Sequence, residues 1–229
     1  GPDQLQNVHL KSCQVFIFNS IYTFTTLHFQ FVTGVNPVAI YGLLPNKTRE
    51  IYNRMLIAIK GSVPAANPTN VLVDFESASI GAFRDVFPNA RVAGCYFHLS
   101  QSIIRKVNQV GMKLDYEQND EVRGSVRCLA ALAFVPVNDV VESFEILAES
   151  MPQIEHMDEL LTYFEHTYIR GRRLRGRVEN YRPPLFSIET WNQRDAAADG
   201  LARTTKIVEG WHHGLQVLLQ CSHPTLWKF

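Results

Sequence analysis

The chain has 229 residues, enough for one large domain or for a compact domain with an inserted subdomain. Hydrophobic residues make up 46% of it and charged residues 19%, a balance that excludes a disordered chain. Lys and Arg total 22, as do Asp and Glu, so the formal net charge is zero and a positive field over the whole domain is excluded. The longest apolar stretches fall far short of the roughly 18 residues that a membrane span needs, so no membrane partner is expected.

The cysteines indicate the redox compartment. All four lie far apart and show no paired framework: Cys13, Cys95, Cys128 and Cys221. We interpret them as reduced thiols, typical of a cytosolic or nuclear protein. No signal peptide is predicted, and the opening Gly-Pro is typical of a protease-cleavage scar, so we expect the natural chain to extend further upstream.

The N-terminal part of the chain predicts strands. Residues 13–44 are rich in β-branched and aromatic types, with turn signals at Asn19-Ser20 and before Pro37. This pattern predicts two long antiparallel strands, one at about 15–18 that extends as far as 31, and one at 37–44.

A helix and a strand–helix–strand unit follow. From Thr48 the apolar residues share one face of an amphipathic helix that ends at Gly61. Residues 70–75 then predict a buried strand, 76–87 a helix, and 91–97 a second strand. Such a βαβ crossover places both strands in one sheet.

Beyond His98 the apolar residues recur at three- and four-residue spacing, which predicts helices almost throughout. Residues 170–184 are a basic loop, and a last helix is expected at about 206–219. The sequence as a whole therefore predicts an α/β fold with a helical insertion at about 99–185.

Asp74 stands at the carboxyl end of an apolar strand, where open α/β sheets place ligand-binding and catalytic groups. The alternative is that Asp74 caps the helix that follows, a role that Asp suits well.

Cys95 and His98 form a Cys-x-x-His pair directly after the second strand of the crossover. Two ligands at this spacing could begin a zinc site, but a structural zinc site needs four and no second pair stands at a suitable distance. The other interpretation is a buried thiol beside a hydrogen-bonded histidine, with no metal.

Two further groups of residues are candidates for function. Glu209 and His212 flank Trp211 on the predicted last helix, where a solvated surface is the alternative role. Five arginines lie within eight residues of the basic loop, and they predict either a solvated loop or contacts with nucleic-acid phosphates: Arg170, Arg172, Arg173, Arg175 and Arg177.

Four stretches, in the same order, resemble the transposase domain of Mutator-like elements (MULE), and the resemblance covers most of the chain, from about residue 7 to 229. They are YGLLPNKTREIY, VLVDFESASIGAFRDVFPNARVAGCYFHLSQSIIRKV, VRCLAALAFVPVNDV and RTTKIVEGWH. The resemblance implies a ribonuclease-H-like (RNase H-like) mixed sheet with a helical insertion, formed by residues 1–229. It also implies an Asp-Asp-Glu triad that binds two divalent metal ions for DNA cleavage and joining.

On this resemblance, Asp74 matches the second acid of the triad and Glu209 the third, with Cys95, His98 and His212 as supporting residues. The first acid is missing, because Asn7 stands where the family has Asp. A neutral amide has one carbonyl oxygen and no charge to offset two dications. Lys206 also departs from the family pattern, and it brings a cation within one helical turn of Glu209.

These departures predict a host-domesticated, transposon-derived nuclear protein that is catalytically inactive and survives as a DNA- or protein-binding scaffold. DNA binding is expected to be weak, a protein partner or a homodimer is expected, and no resident cofactor is predicted. The alternative is an active metal-dependent transposase or nuclease with an Asp-Asp-Glu triad, which would need Mg²⁺ or Mn²⁺.

Overall fold

The structure is a computed structural model. It describes the backbone of residues 13–19, 24–31 and 38–43, and all of residues 44–63, 67–175, 180–201 and 203. The chain divides into two compact units: the first includes the residues up to Val92, and the second runs from Ala93 to Thr204. Within the described residues, no helix has both the length and the apolar character needed to cross a membrane.

Five strands of the described chain form one mixed sheet: β1 (Cys13–Asn19), β2 (Phe24–Phe31), β3 (Val38–Leu43), β4 (Asn70–Val73) and β5 (Arg91–Gly94). Their order across the sheet is β3-β2-β1-β4-β5. β2 pairs antiparallel with both β1 and β3, whereas β4 pairs parallel with β1, with Leu72 opposite Phe16. β4 and β5 share this sheet, as the crossover predicted.

The prediction of two long strands between residues 13 and 44 is wrong, because this segment contains three. β1 ends at Asn19, the first residue of the predicted turn, and β2 runs back along it with Leu27 opposite Ile17. Strand-forming residues are abundant on both sides of the turn, so composition alone did not separate the two strands.

Helix α1 (Arg49–Ser62) lies where the apolar spacing predicted it. The Thr48 side-chain oxygen caps its first turn and accepts a hydrogen bond from the Ile51 amide at 3.4 Å. The buried face consists of Tyr52, Leu56 and Ile59.

Helix α2 (Ser77–Val86) follows β4 and buries Ile80 and Phe83, as predicted. Polar contacts join it to α1, among them a hydrogen bond from the Lys60 ammonium to the Val86 carbonyl at 3.1 Å. The guanidinium of Arg49 donates to both carboxylate oxygens of Asp85 at 2.8 and 2.6 Å, and Asn53 donates to the same carboxylate at 3.0 Å.

β5 is shorter than predicted, because Tyr96 and Phe97 belong to the next helix. The strand ends at Gly94, and Cys95 is the N-cap residue of α3 (Tyr96–Gln109). Aromatic residues favour strands when they are considered locally, but here burial of the apolar α3 face decides the conformation.

The second unit is helical. After α3 its helices are α4 (Lys113–Gln118), α5 (Asp120–Ala131), α6 (Val140–Glu149), α7 (Met157–Phe164), α8 (Ile188–Trp191) and α9 (Arg194–Ala198). A π-helical turn over Glu165–Ile169 extends α7. Five buried rings, which we call the aromatic cluster, pack in the centre of this unit: Phe144, Phe164, Tyr168, Phe186 and Trp191.

Two details of the second unit differ from the prediction. The apolar spacing predicted a helix over residues 153–169, but α7 begins at Met157. The reason is that His156 has a φ of 66°, a left-handed conformation that a right-handed helix cannot include. α4 was not predicted, since it buries no residue and therefore shows no apolar periodicity.

Candidate functional site

Asp74 directly follows β4, the strand that pairs in parallel with β1. Its side chain is partly buried, and its backbone oxygen accepts a hydrogen bond from the Glu76 amide at 2.7 Å. α2 begins at Ser77 with Glu76 as its N-cap residue, so Asp74 is not the helix cap of the alternative interpretation. Asp74 therefore stands at the carboxyl end of a sheet strand, the usual position of functional groups in α/β folds.

Glu76 is a second acidic residue at this strand end, and sequence analysis did not select it. The Tyr52 hydroxyl donates to its carboxylate, with oxygen–oxygen distances of 3.1 and 3.3 Å. Burial raises the pKa of the Glu76 carboxyl; the Tyr52 hydrogen bond and the charge of Lys47 oppose this effect, and the Asp74 carboxylate adds to it. The available sequence signal was the Asp-Phe-Glu pattern, which places two acids at one strand end.

Cys95 and His98 lie in the second unit, at the beginning of α3. Cys95 is fully buried, as predicted, whereas His98 is partly buried with its ring 5.4 Å from that of Phe97. Within the part of the chain that the structure describes, no three His, Cys, Asp or Glu residues are grouped so that they could hold a metal ion.

Gln193 holds the strand end that precedes Cys95, and sequence analysis missed it. Its side-chain Nε2 donates to the Gly94 carbonyl at 2.7 Å, and its backbone amide donates to the Ala133 carbonyl at 2.7 Å. With only 1% of its surface exposed, Gln193 is a structural tie within the second unit. No local pattern around this residue predicts such a contact.

The basic segment predicted as a loop forms a short hairpin, which we call the arginine hairpin (residues 171–175 and 180–182). The Gly171 amide donates to the Arg182 carbonyl at 2.7 Å, the Arg182 amide donates to the Arg172 carbonyl at 3.0 Å, and Arg173 bridges to Tyr181. A side chain at Gly171 would bring its Cβ within 2.6 Å of the Arg182 carbonyl oxygen, so only glycine fits this close approach.

Arg170 anchors the base of the arginine hairpin. Its guanidinium donates to Glu165 at 2.6 Å and to Glu145 at 2.8 Å, and it lies 4.8 Å above the Tyr181 ring. Two carboxylates therefore offset its charge. Of the five arginines selected from the sequence, Arg170 therefore has a structural role.

Arg172, Arg173 and Arg175 are exposed on the arginine hairpin, as phosphate-binding residues would be. Arg182 is also exposed on the returning strand, and sequence analysis did not include it. Arg177 lies outside the described residues.

The other triad positions, Asn7 and Glu209, lie outside the described residues, as do His212 and Lys206. Of the three predicted triad positions, Asp74 is therefore the one that belongs to the described residues.

The N-terminal part of the chain is similar to a known protein family. No curated protein and no solved structure matches the chain. Residues 18–102, which include β2 to β5 and the last two residues of β1, match the family model of the MULE transposase domain. For residues 18–102, this match confirms the resemblance to the MULE transposase domain that was drawn from the sequence.

Proposed function

We propose that this chain is a transposase-derived, RNase H-like domain that no longer cleaves DNA and serves as a nuclear DNA- or protein-binding scaffold. The observation that carries the proposal is the match of residues 18–102 to the MULE transposase domain. The mixed sheet supports the RNase H-like part, because three antiparallel strands adjoin a parallel partner that ends at Val73, directly before Asp74.

Loss of cleavage follows from the first triad position. Two-metal catalysis of phosphoryl transfer needs carboxylates that converge on both ions, and Mg²⁺ prefers charged oxygen ligands. Asn7 supplies a neutral amide in place of a carboxylate. We infer that the affinity for Mg²⁺ and the stabilisation of the transition state are both much reduced.

The alternative is an active transposase or nuclease in which another acid serves as the first ligand. Asp74 and Glu209 would then bind Mg²⁺ or Mn²⁺ together with that acid. The presence of Asp74 at a strand end is compatible with both functions, so the measurement of metal binding and of cleavage decides between them.

The decisive experiment combines calorimetric titration with Mn²⁺ and a strand-transfer assay on terminal-repeat DNA. We expect weak Mn²⁺ binding and no strand transfer by the parent chain, and stronger Mn²⁺ binding by Asn7→Asp. Asp74→Ala should abolish the gain made by Asn7→Asp. Strand transfer by the parent chain that is lost in Asp74→Ala would overturn the proposal in favour of the active enzyme.

DNA binding is assigned to the exposed arginines of the arginine hairpin. Since the chain has no net charge, this binding should be weak and non-specific in sequence. Each phosphate contact contributes about −0.9 to the slope of log K against log salt concentration on duplex DNA. Replacement of Arg172, Arg173 and Arg175 by Ala should therefore make the slope shallower by roughly 2.7. An unchanged slope would assign these arginines to solvated surface.

A protein partner or a second copy of the chain is the other proposed contact. Sedimentation of the purified chain over a range of concentrations tests the homodimer, and a fluorescent fusion of the full protein tests the nuclear location.

A further inference from the structure

A groove of about 510 Å³ runs along α7 in the second unit. Lys106 of α3 and Arg172 of the arginine hairpin both line it, together with Tyr163 and His166. Two separate basic elements therefore meet at one groove, although they are distant in the sequence.

The Lys106 side chain is held against an aromatic ring. The Lys106 ammonium lies 5.6 Å from the centre of the Tyr163 ring, and its side chain is partly buried. Arg172 is exposed on the hairpin strand, so the groove is continuous with the exposed face of the arginine hairpin.

Two acidic residues, Asp158 and Glu159, also line the groove, from the first turn of α7. The Glu159 carboxylate lies 2.8 Å from Nδ1 of His156, so it already has a partner, and His156 does not line the groove.

We propose that this groove binds a backbone phosphate of the same nucleic acid that the arginine hairpin contacts, and that Lys106 is the residue that makes this contact. The inference rests on the proposed DNA binding and extends it to a helix that the sequence did not implicate. Arg172 belongs both to the exposed arginines and to the groove, so a phosphodiester strand bound to these arginines lies at the groove that Lys106 lines. A compact ammonium held above an aromatic ring presents its charge at a defined place, which suits a single phosphate oxygen.

The test is the salt dependence of binding to a fluorescently labelled DNA duplex, measured by anisotropy. Lys106→Gln removes the charge and keeps the first two methylenes of the side chain, so the slope of log K against log salt concentration should become shallower by about 0.9. Lys106→Arg should restore the parent slope. The matched control is Lys113→Gln, because Lys113 pairs with Glu117 at 3.7 Å on α4 and does not line the groove. Equal slopes for Lys106→Gln and the parent chain would overturn the inference.

A second measurement needs no substitution at all. Acylation of lysines in the parent chain, followed by mass spectrometry, should show that saturating duplex DNA lowers the reactivity of Lys106 and leaves that of Lys113 unchanged. Equal reactivity of Lys106 with and without DNA would contradict the contact.

The two proposals fail in distinguishable ways. If the triple variant of Arg172, Arg173 and Arg175 binds DNA as the parent does, the proposed DNA binding by the hairpin is wrong. If the triple variant has a shallower slope but Lys106→Gln does not, the hairpin binds DNA and only the groove inference is wrong.

Discussion

The hydroxyl of Tyr52 on α1 donates a hydrogen bond to the carboxylate of Glu76, 3.1 Å away at the end of β4. Tyr52 is fully buried and Glu76 is partly buried, so the bond forms where water competes little. It joins the first helix to the strand end that carries Asp74. The position of this strand end therefore depends on Tyr52, a residue outside the predicted triad.

The protonation of Glu76 gives a first prediction. Because burial raises its pKa in the folded state, the contribution of Glu76 to stability is largest below its ordinary pKa of about 4.3 and falls as the pH rises through the folded-state value. Glu76→Gln keeps an acceptor for Tyr52 but does not ionise. The free energy of unfolding of Glu76→Gln, relative to the parent, should therefore increase between about pH 4 and pH 7.

Urea unfolding at several pH values measures this difference. Tyr52→Phe is the complementary variant, since it removes the hydrogen bond that opposes the pKa shift, and it should make the pH dependence steeper than in the parent chain. A relative stability of Glu76→Gln that decreases with rising pH would contradict the assignment.

The contribution of Asp85 to stability should change with pH in the opposite direction to that of Glu76. The Arg49 hydrogen bonds lower the pKa of its carboxyl to about 2, with a further contribution from Asn53. The stabilisation is therefore complete above the ordinary pKa of about 3.9 and is lost as the pH falls towards 2. Asp85→Asn should be less stable than the parent at neutral pH, and the gap should close in acid. Urea midpoints at pH 7 and near pH 2 check this, and a gap that widens in acid would rule it out.

The backbone of the arginine hairpin gives a third prediction. In Gly171→Ala the added Cβ would lie 2.5 Å from the Pro183 carbonyl oxygen, so the strands must move apart. Hydrogen exchange should speed up at the amides of Arg182 and Leu174, which donate across the hairpin.

Gly124→Ala is the matched control for Gly171→Ala. Gly124 is exposed within α5, and a Cβ there meets nothing within 4 Å. Since alanine favours helices, this variant should be more stable than the parent by about 0.5–1 kcal/mol. Unchanged exchange in the hairpin of Gly171→Ala would show that the close approach is not obligatory.

The aromatic cluster gives a fourth prediction. Trp191 is fully buried, and its Nε1 donates to the Tyr168 carbonyl at 2.8 Å. Trp191→Phe leaves a cavity and removes this hydrogen bond, so unfolding in urea should become easier by roughly 2–4 kcal/mol. Leu185→Ala is the control, because Leu185 is 65% exposed and its loss should change stability by less than about 0.5 kcal/mol. Similar effects of the two substitutions would contradict a central role for the cluster.

Local sequence patterns were sufficient for several elements. The apolar spacing and the Thr48 cap predicted α1, and the run from Asn70 to Phe87 predicted β4 and α2 with the correct buried residues. These signals are reliable because capping and amphipathic periodicity act within one or two turns of the chain. The position of Asp74 at a strand end follows from the same local order.

Contacts between distant residues required the tertiary structure. Tyr52 and Glu76 are 24 residues apart, Gln193 and Gly94 are 99 apart, and no local pattern links either pair. The five closely spaced arginines likewise looked equivalent in the sequence. In the structure, Arg170 binds Glu145 and Glu165, whereas Arg172 lines a groove together with Lys106. Periodicity shows which face of a segment is buried, but the partner of a side chain depends on how segments pack, and packing is a property of the whole chain.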